Sequence, residues 1–214
     1  DSSTSASGTA GTEGSFTLDF PIITDPSIIL DLLGGKDVDL VTIDMPTFVV
    51  SVTIEKKWLV YVPPPIYVRV AGTFTAKIDI DFGYDTRGIR TYLITGLPED
   101  LADGFYVLVK DPDTGERKPQ FTLSVTIEFG AGIDLGIIDA YAGGGITGTG
   151  YFYLHDVDGD GKVRWKEMAE VYEANSGWIF DVRVTIDIFF KITVTLHIPL
   201  LVTTLDIEVF NFTI

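Results

Sequence analysis

Cysteine is absent from all 214 residues, which excludes disulfides, thiolate catalysis and zinc–thiolate sites. There are 2 histidines, His155 and His197, and neither has a Ser or Asp partner at an interpretable spacing. The signatures G-x-S-x-G, Walker A, H-E-x-x-H and G-x-G-x-x-G are all missing. Basic residues are scarce: 15 Lys and Arg stand against 31 Asp and Glu, a formal net charge of −16. Phosphate binding needs clustered Lys and Arg, so nucleic acid is excluded as a partner. Anionic membrane surfaces are disfavoured for the same reason. No run of about 18 apolar residues is free of polar interruption, so no transmembrane helix is expected. The chain begins at Asp1, which reads as a mature product or an excised module.

What remains is a chain with 46% apolar residues and a strong period of two. In Tyr67–Gly83 the even positions run Val68, Val70, Gly72, Phe74, Ala76, Ile78, Ile80 and Phe82. In Phe121–Ile137 every odd position is apolar, and in Phe180–Ile198 every even one is. Alternation held this long admits no helical reading. Such runs exceed ordinary strands of about 5–6 residues, so they are expected to bend, bulge or cross between two sheets. Shorter strands are expected at Ser15–Phe20, Asp39–Ile43, Phe48–Ile54, Trp58–Val62, Ile89–Ile94, Tyr106–Lys110, Gly143–Leu154 and Leu201–Phe212. Gly83–Gly88 and Asp111–Glu116 carry hairpin-type turn residues. Pro63-Pro64-Pro65 is a rigid extended segment. The alternation slips phase near Val209 and Phe210, which predicts a bulge. Residues 1–13, small and polar, read as a flexible linker or processed N-terminus, and residues 14–214 as one β domain.

One stretch names its own chemistry. Asp156 to Glu167 reads D-V-D-G-D-G-K-V-R-W-K-E, in the register of a twelve-residue calcium loop. That register needs carboxylates at positions 1, 3 and 5, glycine at 6, a backbone carbonyl at 7 and a bidentate Glu at 12. The chain supplies Asp156, Asp158, Asp160, Gly161, the Lys162 carbonyl and Glu167. Val163 is expected to tuck into the core. Arg164, at position 9, cannot ligate. A helix is expected to follow over about 164–174, ended by Asn175-Ser176-Gly177. A second short helix is expected at Ser27–Leu33, opened by Asp25-Pro26 and ended by Gly34-Gly35.

The loop resembles the EF-hand family and, more closely, its dockerin-like extracellular relatives. The resemblance implies Ca2+ held by Asp156, Asp158, Asp160, Lys162 (carbonyl) and Glu167. The loop stands alone, so neither a paired sensor nor cohesin docking is implied. Three further segments, FPIITDPSIILDLLGGKDVDL, DIDFGYDTRGIR and GIIDAYAGGGITGTGYFYLHDVDGDGKVRW, resemble β-rich modules of very large secreted bacterial proteins.

The expected fold is all-β: a long-stranded antiparallel sandwich or jelly-roll-like double sheet, with one short helix after the calcium loop. The expected role is a non-catalytic, calcium-stabilised structural module, extracellular or at the cell surface, in an adhesin, surface layer or filament. Partners would be further copies, through strand 201–214 for example, or neighbouring domains of a surface assembly. Three other readings follow from particular residues. A carbohydrate- or lipid-binding module would use a groove lined by Phe74, Phe82, Phe129 and Phe190, or a platform of Trp58, Trp165 and Trp178. A glycoside-active enzyme would use paired carboxylates such as Asp79/Asp81 or Asp206/Glu208. An outer-membrane barrel would turn its apolar face to lipid. Against the barrel stand runs nearly twice the usual 9–11 residues, no aromatic girdles at two depths, and charges in nearly every strand.

Overall fold

The computed structural model describes residues 2–111, 114–198 and 203–213. The chain opens with strands β1 (Ser2–Glu13) and β2 (Thr17–Asp19), then helices α1 (Pro21–Thr24) and α2 (Ser27–Leu33). Strands β3 (Asp39–Asp44), β4 (Thr47–Tyr61), β5 (Ile66–Ile78) and β6 (Asp81–Asp85) follow. Helix α3 (Thr86–Thr95) and a 3-10 segment (Pro98–Gly104) lead to β7 (Phe105–Leu108), β8 (Phe121–Asp134) and β9 (Ile138–Leu154). The chain then forms β10 (Lys162–Arg164), α4 (Trp165–Ala174), β11 (Phe180–Ile198) and β12 (Thr203–Thr213).

These make two antiparallel sheets, so the expected all-β double sheet, with a short helix after the loop, is the architecture found. The larger has seven strands in the order β1-β4-β5-β8-β9-β11-β12 and does not close on itself. The smaller has five, β10-β7-β6-β3-β2. The long alternating run from Tyr67 does cross between sheets, as its length required: it leaves β5 at Ile78 and enters the other sheet at Asp81. A small core holds the sheets together at one end. Val109, Leu154 and Val163 are buried there, with Val107, Met168, Ile179 and Phe180 against them. Gln120, fully buried, ties this junction: its side chain donates to the Lys118 carbonyl (2.7 Å) and accepts from Leu154 N–H (2.7 Å).

Register sorts the larger sheet's faces by chemistry. One face pairs Val52 with Phe74, Phe74 with Val125, Ile127 with Ile146, and Ile146 with Ile188. The other carries rungs of hydroxyls, Ser51–Thr75, Thr53–Thr73, Ser124–Thr149 and Thr126–Thr147, each bonded at 2.9–3.1 Å. Beside them lie Arg69, Glu55, Glu128, Lys191, Tyr67 and Tyr141, joined by ion pairs and hydrogen bonds: Arg69 Nε to Glu55 (2.8 Å), Lys191 to Glu128 (2.9 Å), and Tyr141 Oη to Glu128 (2.9 Å). Glycine makes room for the tyrosines. A Cβ on Gly132 would fall 2.4 Å from Tyr67, and one on Gly143 2.2 Å from Tyr141.

Several expectations need correcting. Residues 2–13 are not a flexible linker but strand β1, paired with β4 along its whole length. Small residues carry little hydrophobic pattern, so here the backbone ladder and an available strand edge decide. Ile89–Ile94 is helix α3, not a strand, and Gly83–Gly88 is not a hairpin loop. The deciding residues are Asp85, whose side chain accepts from Arg87 N–H (3.1 Å) as N-cap, and Gly96, left-handed at the C-terminus. Phe48–Ile54 and Trp58–Val62 are one strand, β4. Helix α2 lies where the sequence put it, and the slip at Val209 is a bulge: Ile192 faces Phe210 and Thr193 faces Glu208. Pro112 and Asp113 of the expected turn, and residues 201, 202 and 214 of the expected last strand, lie outside the described residues.

Candidate metal centre

The loop 156–167 runs from the end of β9 to the first turn of α4, and its middle is a strand. Lys162, Val163 and Arg164 form β10 and pair with Leu108, Val107 and Tyr106 of β7. The ladder fixes the second half of the loop to the smaller sheet, and Val163 is buried in the junction core as expected. Gly159 and Gly161 take positive φ, 77° and 88°, a conformation that glycine reaches at no steric cost.

The backbone donors of the loop organise its carboxylates. Asp156 accepts from Gly159 N–H (2.8 Å) and Gly161 N–H (2.9 Å). Asp158 accepts from Asp160 N–H (3.2 Å), and Asp160 from Lys162 N–H (2.7 Å). Glu167 reaches back from α4 to accept from Val157 N–H and Arg164 N–H. The latter bond also caps the helix, whose N-terminal dipole favours a negative charge in the first turn. The result is that oxygens of Asp156, Asp158 and Glu167 lie within 4.8 Å of one another, a set able to hold a metal ion.

Of the five residues singled out from the sequence, three therefore converge. Asp160 is at the loop but turned away: its Oδ2 takes Arg164 Nη1 at 2.7 Å. Lys162 sits at the start of β10, with its ammonium bonded to Asp39 and 3.4 Å from Asp85. Burial raises the Glu167 carboxyl above its usual range, and the charges of Asp158 and Asp156 push the same way against its two backbone donors. A cation would relieve that crowding. Burial also works to raise Asp160, but the bonds from Arg164 and Lys162 N–H outweigh it and hold the group below the usual range. At the rim, Lys110 Nζ stands 3.7 Å from Asp156 and Arg87 Nη1 3.7 Å from Asp158.

Arg164 explains the odd ninth position. Its side chain is buried, and it bridges Asp160 to Asp85 of β6, with Nη2 2.7 Å from Asp85 Oδ2. Asp85 is fully buried. Burial pulls the guanidinium pKa down, but the two carboxylates hold it above its ordinary value. Tyr106 Oη donates to Asp39 (2.8 Å), and burial, followed by the charge of Asp39, pushes this phenol up. Lys166, the next loop residue but one, binds Asp100 (2.7 Å) and Asp103 (2.5 Å) and ties α4 to the 3-10 segment. Sequence reasoning missed Asp85, Asp39, Tyr106, Asp100 and Asp103. The one available signal was an Arg where a ligand is usual, which demands a buried counter-charge. Its partner lies 79 positions away and has no local mark.

Other expected site residues scatter. His155 Nδ1 lies 2.9 Å from Asp181, which also takes Arg117 (2.8 Å), so His155 does have a carboxylate partner. Asp79 and Asp81 both bind Lys118. The side chains of Asp206 and Glu208 lie outside the described residues. Phe74, Phe129 and Phe190 are exposed on the larger sheet, while Phe82 belongs to the smaller one. Trp165 is 70% exposed. Trp178 meets Phe180 edge to face, with centroids 5.9 Å apart. Compared with known proteins, the chain matches no family model, no curated protein and no solved structure.

Proposed function

We propose that this chain is a non-catalytic structural module, extracellular or at the cell surface, whose smaller sheet is clamped by Ca2+ at the 156–167 loop. The observation that carries the reading is the convergence of Asp156, Asp158 and Glu167 oxygens within 4.8 Å, on a loop whose backbone donors already orient them. Calcium takes six to eight hard oxygens. Two aspartates, a bidentate Glu167, the Lys162 carbonyl and water would provide them. Asp160 would join only by sharing its carboxylate with Arg164.

The clamp has a mechanical consequence. Glu167 belongs to α4 and Asp156 follows β9, so an ion between them joins that helix to the end of the larger sheet. Arg164 and Lys162 join the same loop to β6 and β3. Calcium would thus lock the junction of the two sheets and stabilise it rather than signal. Extracellular modules of this kind bind at about 0.1–1 mM. Binding to the folded state alone then adds about 1.4 kcal/mol at tenfold excess over Kd. Strands β1 and β12 stand at the two edges of the larger sheet and offer sites for strand addition by neighbours in an assembly.

Thermal unfolding in 5 mM CaCl2 and in EDTA tests this. We expect a higher Tm with calcium, and no difference in Asp156→Ala/Glu167→Ala. Equal Tm values for the unaltered chain would remove the calcium reading.

A further inference from the structure

We propose that the apolar face of the seven-stranded sheet lies against lipid hydrocarbon, with the smaller sheet and its loop standing in water at one end. The face is large and bare. Val52 of β4, Phe74 of β5, Val125 and Ile127 of β8, and Val184 and Ile186 of β11 are all exposed, Ile186 at 69%. The smaller sheet does not cover them; among the described residues, the buried cluster of Val109, Leu154 and Val163 lies at the junction of the two sheets, away from this face. Soluble proteins rarely leave a contiguous apolar area of this kind uncovered.

Four observations name the occupant. First, register leaves no charge on this face across β5, β8, β9 and β11: every residue there, from Phe121 to Ile133 and from Phe180 to Leu196, is apolar or glycine. Second, the strand charges lie on the opposite face, with the exception of Lys56 near the far end of β4, which faces Val70 and lies over Trp58. On the opposite face several are paired with one another, Arg69 with Glu55 and Lys191 with Glu128. A sheet with its ionic network on one side and hydrocarbon on the other has the two faces of a membrane barrel wall. Its open edges, β1 and β12, then need strands of further copies to close it, since unpaired edges do not stand in hydrocarbon. Third, an aromatic row appears once the strands are in register. Phe48 pairs with Ile78, Ile78 with Phe121, and Phe121 with Phe152. Phe180 and Trp178 pack edge-on against that row, with Phe121–Phe180 and Phe152–Phe180 centroids 5.5 and 6.4 Å apart. The row marks the end where the smaller sheet begins, the level at which aromatic side chains border hydrocarbon and water. Fourth, the height fits. From Phe121 to Ile133 a strand rises about 40 Å at roughly 3.3 Å per residue. At the ~35–45° tilt of membrane barrels this becomes about 30 Å, the thickness of the hydrocarbon core.

A second copy stacked face to face would bury the same residues, and one experiment separates the two. With no native cysteine, single-cysteine variants carry one probe each. Val125→Cys and Ile186→Cys place an environment-sensitive fluorophore on the apolar face, and Thr126→Cys and Thr185→Cys on the polar face. Each is measured after reconstitution in phosphatidylcholine vesicles containing doxyl-labelled lipid, and again with aqueous iodide. The proposal requires at least twofold quenching by the doxyl lipid at 125 and 186, little quenching by iodide there, and the reverse at 126 and 185. Iodide quenching at 125 and 186, or failure of the chain to float with the vesicles, overturns it. Probes there that neither quencher reaches would show a protein surface in place of lipid, and overturn it too. As an independent arm, Ile186→Lys should lower the fraction floating with vesicles at least tenfold, while Asp187→Lys should not. None of these outcomes depends on whether the loop binds calcium.

Discussion

Replacing Asp85 by Asn isolates the network behind the metal loop. The amide keeps the size of the side chain and its ability to cap α3 through Arg87 N–H. What disappears is the charge that faces Arg164 Nη2 at 2.7 Å and Lys162 Nζ at 3.4 Å. Both Arg164 and Asp85 are buried, their side chains 6% and 0% exposed, so solvent cannot take over. Removing one partner of a buried pair costs about 3–5 kcal/mol, because the other charge is left uncompensated. Asp160 still holds Nη1, which places the loss near the lower figure, about 3 kcal/mol. For a chain of this size that is a fall in Tm of roughly 6–12 °C. Urea unfolding followed by tryptophan fluorescence reads the same loss as a lower midpoint at constant slope. The Asp85→Asn/Arg164→Met double variant should lose less than the sum of the two single losses, since no fully buried charge is then stranded. A cost below about 1 kcal/mol for Asp85→Asn, or strict additivity in the cycle, would refute the reasoning.

Other consequences are simpler to state. Gly88→Ala should destabilise by about 1–3 kcal/mol, although alanine ordinarily favours helices, because its Cβ would fall 2.5 Å from Gly104 N and the Leu101 carbonyl; a gain in urea midpoint would contradict the contact. Lys118 titrates above its ordinary value: burial works to lower it, but the bonds to Asp79 and Asp81 prevail. A lysine raised on folding contributes fully below its unfolded pKa of about 10.4 and loses that contribution as pH rises through the folded value. Stability should therefore fall above about pH 10.4, and the fall should be smaller in Lys118→Met, as urea midpoints between pH 9 and 12 would show. Limited proteolysis between α4 and β11, around Asn175–Gly177, should slow when millimolar calcium replaces EDTA, with no change in Glu167→Gln.

Much of this was legible in the sequence where one physical pattern dominates. The period of two over Phe180–Ile198 is strand β11 to the residue, because every even position is apolar and every odd one but Phe189 is polar. Gly161 takes the positive φ that the loop's sharp turn called for, and the oxygens of Asp156, Asp158 and Glu167 lie together because local backbone donors orient them. What failed was decided at a distance. Residues 2–13 have no apolar pattern and become a strand only because the edge of β4 is available. Ile89–Ile94 has β-branched residues that suit a strand, yet Asp85 and Gly96 cap it as a helix. The two faces of the larger sheet were each visible as alternation, but which side is bare, and that Phe48, Phe121, Phe152 and Phe180 form a row, emerges only when register aligns strands far apart in the chain. Arg164 marked itself as unusual, while its partner Asp85 sat inside a segment that read as a turn.

The most direct test of the calcium site uses Trp165, which lies inside the loop itself. Terbium replaces calcium at oxygen sites and emits when a nearby tryptophan is excited. Titrating Tb3+ into the chain with excitation at the tryptophan band should give saturable emission, reversed by millimolar Ca2+ and abolished in Asp156→Ala/Glu167→Ala. Emission that is absent, or that survives both the calcium competition and the double substitution, would mean that the three carboxylates hold no ion and that the loop is an acidic turn.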